Sequence, residues 1–144
     1  MPPVQPSLAY RLRVALGRIT RNMKGVETGL TWPQAMVLTR LEENGDMTAA
    51  AIAAAEGVRP QSMAATLSAM EEERMVSRRA DAHDRRQLQV SITEHGRSLI
   101  RAARASKEQW LAQAMKARLN REEIETLRAS LAVLERLAED PSER

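Results

Sequence analysis

The feature that most constrains this chain is a change of period inside one short stretch, residues 59–93. Its first half, RPQSMAATLSAMEEE, spaces its apolar residues as a helix does. Met63, Leu67 and Met70 stand at i, i+4 and i+7 and so share one face. Pro60 suits the first turn, where its missing N–H would have found no partner. The opposite face carries Gln61, Ala65 and Ser68, with Ser62 on its flank. A helix serving only solubility would carry Lys and Glu there; this one is short-chained and uncharged. The second half alternates instead, Leu88, Val90 and Ile92 against Gln89 and Ser91, the period of a half-buried strand. A run at 76–79 supplies a second strand. Between the two, ADAHDRR has no apolar anchor and should project as a loop.

Charge is concentrated in the same place. From Arg74 to Arg86 there are five Arg against two Asp, a net +3, and the whole chain, with 22 basic and 19 acidic residues, has no more. A polar-faced helix followed by an Arg-tipped hairpin fits a winged helix-turn-helix. The helix (59–73) would enter a major groove and read base edges. The wing (80–87) would reach a neighbouring minor groove, where Arg is attracted by an enhanced negative potential. Gln pairs bidentately with adenine and Ser serves either donor or acceptor edges, so Gln61 and Ser62 suit direct readout. Arg85 and Arg86 put charge at the wing tip, while Arg78 and Arg79 on the wing strand suit phosphates. Glu71, Glu72 and Glu73 would repel phosphates, so only the N-terminal half of the helix can face DNA. The alternative is an amphipathic helix and a solvated Arg-rich turn in another small α+β domain.

The rest of the chain supplies a scaffold. With 144 residues it fits one domain with a real core. Without Phe, and with one Tyr and two Trp, that core must be aliphatic and draw on eight Met. No Cys means no disulfide and no thiolate metal site. The longest apolar run, MTAAAIAAA, is far short of a membrane span and no signal-peptide pattern appears, so a cytoplasmic protein is expected. Pro2, Pro3 and Pro6 mark a loose arm. Leu8, Leu12, Leu16, Ile19, Met23 and Val26 predict a helix over 7–28, with Arg11, Arg13, Arg18, Arg21 and Lys24 off its stripe as a solvated face or a flank for DNA.

Thr31-Trp32-Pro33-Gln34 has the form of a capping box opening a helix that stops at Asn44-Gly45. Met47 can add a short third strand. Thr48 caps AAAIAAAE, which ends at Gly57 and reads as the supporting helix of the helix-turn-helix. Thr93 caps a helix to about 118, and Asn120 with Glu123 opens the last one. There Ile124, Leu127, Leu131, Leu134 and Ala138 step by 3, 4, 3 and 4, a coiled-coil-like seam widened by Val133 and Leu137. The terminal helices carry more apolar stripe than the central unit can cover. A second copy is the simplest cover, and packing into one intramolecular bundle is the alternative. The expected architecture is mainly α with a β-hairpin wing (α+β), one domain over 1–144. It has a winged helix-turn-helix at 31–93 and dimerisation helices at 7–28 and 94–138.

The order of elements and several strings resemble the multiple antibiotic resistance regulator (MarR) family of bacterial transcription factors. The matching pieces are LTWPQAMVLTRLEENGDMT, VRPQSMAATLSAMEEERMVSRR, DAHDRRQLQVSITEHGRSL and the closing helices with Trp110 and Leu119. Most specific is Asp84-Arg85-Arg86, then a strand, then Thr93-Glu94-His95-Gly96. The resemblance runs from about Leu8 to Leu137. It implies a winged-helix homodimer with intertwined terminal helices, Arg86 inserted into the minor groove and Asp84 helping to hold the wing. It also implies a repressor released by a small aromatic or lipophilic ligand. Two departures stand out. Arg74 occupies the place of a Gly just past the reading helix, where a left-handed backbone tends to be required. Ala64 and Ala65 stand where relatives often present Thr and Arg, which leaves base readout to Arg59, Gln61 and Ser62.

Catalysis is not expected. The two histidines are His83 on the wing and His95 at a helix start, and no HExxH, phosphate loop or Ser/His/Asp arrangement appears. His83 with Asp81 and Asp84 has ligand-type side chains, but a solvated, Arg-flanked loop is a poor metal site, so no cofactor or metal is expected. Tyr10, Trp32, Met36 and Trp110 are candidates to line an effector crevice, or else ordinary core. The partners read from the sequence are duplex DNA, a second copy and a small-molecule effector, with no membrane. The competing class is a helical dimerisation or adaptor protein that binds another protein, which would have no need of Arg85 and Arg86 on a projecting hairpin.

Overall fold

Five of the six helices described open at a side chain that takes an otherwise unpaired N–H. The computed structural model describes residues 7–80 and 82–139, so the proline-bearing arm and Asp81 lie outside the described residues. Helix α1 (Leu8–Lys24) opens at Ser7, whose Oγ accepts from the Tyr10 N–H at 3.2 Å. Helix α2 (Trp32–Asn44) opens with the expected box: Thr31 Oγ1 accepts from the Gln34 N–H and Gln34 Oε1 from the Thr31 N–H. A short strand β1 (Met47–Thr48) leads to α3 (Ala49–Glu56), capped by Thr48, and then to α4 (Pro60–Glu72). Strands β2 (Val76–Ala80) and β3 (Leu88–Ile92) follow, then α5 (Glu94–Arg118) and α6 (Arg121–Ala138), the last opened by the Asn120–Glu123 box.

One boundary differs from the sequence reading. The apolar stripe continues to Val26, but α1 ends at Lys24, with Gly25 as its C-cap. The Gly25 and Val26 N–H groups bond three residues back, to Asn22 and Met23, a tightened last turn. Gly17 is carried through the middle of the same helix, whereas a Gly near the last turn is a common stopping place that the apolar stripe does not report.

The strands form an antiparallel sheet in the order β1-β3-β2. Met47 pairs with Val90, and Val76, Arg78 and Ala80 with Ile92, Val90 and Leu88. Val37, Leu38 and Leu41 of α2, Ile52 of α3, the Met63–Leu67–Met70 stripe of α4, Val76, Val90 and Ile100 make one aliphatic core. Leu88 has the phase of a core residue but is 42% exposed; it is the first residue of β3, next to the hairpin loop. Two ion pairs brace α2: Arg40 Nε meets Glu56 of α3 at 2.6 Å, and Glu42 is paired with Arg104 of α5.

The chain divides after Lys107 into two compact units. The first contains α1 to α4, the sheet and the beginning of α5, and holds the core. The second contains the rest of α5 and all of α6. Neither α1 nor α6 has a buried residue.

The exit from α4 fixes where the hairpin starts. The Met75 N–H donates to Met70 O at 2.8 Å and the Arg74 N–H to Glu71 O at 3.0 Å, the two bonds of a Schellman turn. Arg74 sits in its left-handed position with φ 59°, so the turn keeps the shape a Gly would give it rather than entering the wing differently, and it is the one non-glycine residue with positive φ among those described. The equivalent place after α3 is filled by Gly57, φ 63°. A left-handed L-residue costs roughly 1–2 kcal/mol, part of which Gly returns through its looser unfolded chain. Arg74→Gly should therefore stabilise the protein by about 0.5–1 kcal/mol, a rise of a few degrees in melting temperature at matched protein concentration. A lower melting temperature would show that the Arg74 side chain contributes more than its backbone costs.

Candidate nucleic-acid interface

Two adjacent surfaces of the first unit carry the candidate residues. On α4 the core stripe is buried, and Arg59, Gln61, Ser62, Ala64 and Ala65 are exposed, as the helical spacing requires. Arg59 is the N-cap but makes no side-chain cap bond, and Pro60 opens the first turn. The N–H groups beginning that turn thus have no side-chain acceptor, the condition in which a helix N-terminus favours an anion. Ser68, one turn beyond Ala65, is half-buried.

The second surface is the hairpin. Arg85 and Arg86 are exposed in its loop. Asp84 shapes that loop locally: its Oδ1 accepts from the Arg86 N–H at 3.0 Å, and its carbonyl from the Gln87 N–H at 3.0 Å. Such an Asx turn is a common way for Asp to hold a tight bend. It ties the backbone of Arg86 and leaves the guanidinium outward.

Arg78 and Arg79 part company. They are neighbours on β2 and so lie on opposite faces of the hairpin. Arg79 is 73% exposed and its Nη2 is 3.3 Å from Asp46 Oδ2. Arg78 is 19% exposed and engaged within the molecule, against the expectation of an outward phosphate contact. Its Nε and Nη2 both donate to Glu71 Oε2, at 2.9 and 2.6 Å, and Nη2 also donates to Ser68 Oγ at 3.3 Å. Sequence reasoning treated Glu71 only as a repeller of phosphates. Its partner stands seven residues on across a turn, so neither helical nor strand spacing signals the pair.

Three of the effector candidates lie in the first unit and one in the second. Tyr10 is half-exposed, with Arg13 5.4 Å from its ring centre. Trp32 is half-exposed under two ammonium groups, Lys24 at 4.2 Å and Lys107 at 5.6 Å. Met36 is half-buried on α2, and Trp110 belongs to the second unit. A cleft of about 500 Å³ is lined by Lys24 to Leu30 and includes none of the four. Among the described residues no group of acidic or imidazole side chains is placed to hold a metal ion, and no helix is long and apolar enough to cross a membrane.

The sequence model of the MarR family matches residues 28–87, which take in α2, α3, α4 and the hairpin as far as Gln87. An HTH-type transcriptional regulator of Mycobacterium bovis is 33% identical over 135 residues, covering 92% of this chain and 94% of that protein. One from Mycobacterium leprae is 32% identical over 137 residues, covering 93% and 95%. Among solved structures, a transcriptional regulator of Pseudomonas aeruginosa superposes with a TM-score of 0.77 at 32% identity, over 91% of this chain and 92% of that one. A mutant of S. aureus MepR bound to an oligodeoxyribonucleotide has the same fold, with a TM-score of 0.67 at 21% identity over 94% and 100%.

Proposed function

The chain belongs to the MarR family of transcriptional regulators, not to any enzyme class, and from that premise we propose that it is a homodimeric repressor of a near-palindromic operator. Helix α4 lies in the major groove with Arg59, Gln61, Ser62 and Ala65 toward the bases, and Arg85 and Arg86 enter the minor groove beside it. The observation that carries this reading is the pairing, on one unit, of an uncharged exposed helix face with a hairpin whose exposed tip is arginine. The MepR mutant that shares the fold was solved bound to an oligodeoxyribonucleotide, which agrees with DNA as the partner here. Two copies would place their reading helices one turn apart, about 34–36 Å along the duplex.

Selection of bound fragments from genomic DNA, followed by footprinting, tests the arrangement. Protection of two half-sites on one face of the duplex is expected, and protection of a single half-site would rule out the paired geometry. Arg86→Ala should weaken binding to the selected duplex by about 1–3 kcal/mol. Unchanged affinity would remove the wing from the interface. Release by a small aromatic anion belongs to the same proposal and rests on Trp32, whose ring and two nearby ammonium groups offer stacking and charge together. Trp fluorescence titrated with an aromatic carboxylate should be quenched in wild type and less so in Lys24→Gln.

A further inference from the structure

Four helical hydroxyls in this protein spend their proton on their own backbone. Thr66, Ser106, Thr126 and Ser130 each donate to the carbonyl four residues back, at 2.8–3.1 Å. Ser68 makes no such bond among the described residues. Its Oγ instead accepts from Arg78 Nη2, and Arg78 is held there by two bonds to a single oxygen of Glu71. A hydroxyl has one proton and two acceptor sites. With an Arg N–H at one acceptor site, the proton is turned away from the guanidinium. Ser68 is half-buried at the edge of the exposed face of α4, and Arg78 of β2 reaches it across the turn between helix and hairpin.

We propose that Glu71, Arg78 and Ser68 form a preset donor. Glu71 fixes Arg78, Arg78 occupies an acceptor site of Ser68, and Ser68 presents its O–H to a phosphate oxygen of the strand running between reading helix and wing. Arg78 and Glu71 are positioning residues, and Arg78 does not itself touch the DNA. This rests on the reading of α4 and the hairpin as the DNA surface. It also gives Glu71 a second effect: as a built-in carboxylate it keeps a mobile cation from seizing phosphates of any sequence.

Salt dependence separates these roles, because each phosphate neutralised by a protein cation adds about 0.9 to the slope of log affinity against log salt. Binding is measured for the selected duplex and for a scrambled duplex of equal length. Glu71→Gln keeps the shape but frees Arg78, so the slope should steepen by about 0.9 and the scrambled duplex should gain affinity. Arg78→Gln should leave the slope unchanged, and the double variant should return to it. Ser68→Ala should lose roughly ten- to a hundredfold on both duplexes, as expected for one hydrogen bond to a charged acceptor, with no change of slope. The proposal is overturned if Arg78→Gln lowers the slope by about 0.9, which would make Arg78 a direct phosphate contact. It is equally overturned if Glu71→Gln leaves slope and discrimination as in wild type. Should wild type itself bind neither duplex, the DNA reading fails first, an outcome distinct from either of these.

Discussion

Gly96→Ala is expected to destabilise the protein by about 3 kcal/mol, at the top of the range for forcing an atom into a filled interior. A Cβ on Gly96 would stand 2.2 Å from the carbonyl oxygen of Met75 and 3.1 Å from side-chain atoms of Ile92 and Leu38. The side chains can turn aside, but the carbonyl cannot retreat. It accepts the Thr93 N–H at 3.1 Å and lies 3.0 Å from Thr93 Oγ1, while the Met75 N–H is bound to Met70. The Thr93 hydroxyl also lies 2.6 Å from Arg74 O and accepts the Gly96 N–H at 3.0 Å, capping α5. Four elements therefore meet within this small knot: the end of α4, the start of β2, the end of β3 and the start of α5. Chemical denaturation should show a lower midpoint with an unchanged slope. Ser98→Ala, an exposed site on the same helix, should stay within about 0.5 kcal/mol of wild type. A Gly96→Ala protein as stable as wild type would mean the helix start can slide away from β2.

That knot also shows what the sequence could and could not disclose. The caps at Thr31, Thr48, Thr93 and Asn120 were legible because capping chemistry acts within three residues. The core stripe of α4 and the phase of β3 were legible because period reports face. Asp84 and the left-handed Arg74 came only through the family resemblance, which points to a position without giving its geometry. Gly96 was visible as part of a matching string, but its reason is a carbonyl twenty-one positions earlier. Arg78 is expected at a phosphate from its place on the wing strand, and that place does not disclose the carboxylate across the turn that holds it. The same limit applies to Tyr10, Trp32, Met36 and Trp110, since helical spacing says that aromatics share a side and nothing about whether they enclose a space.

Leu131→Glu with Leu137→Glu should separate the dimer and reduce affinity for the full operator by about 10²–10⁴-fold, the advantage two linked half-site contacts have over one. The expectation comes from α6 taken by itself. It is an 18-residue helix with a capping box and a seam spaced for a helical partner, yet it buries no residue. Leu131, Val133 and Leu137 are 47%, 55% and 66% exposed. Helix α1 presents the same imbalance, with Leu8 82% and Leu16 47% exposed. At about 25 cal/mol per Å² of apolar surface, leaving such stripes in water forgoes several kcal/mol that a second copy would supply. Glutamate is a good helix former, so the substitutions attack the seam and spare the helix. Light scattering should report a monomer at concentrations where wild type is dimeric, and the far-UV spectrum per residue should be little altered. Binding to an isolated half-site should be nearly unchanged, because Arg86 and the face of α4 are untouched. A double variant that stays dimeric and binds the full operator as wild type does would move the interface away from α6.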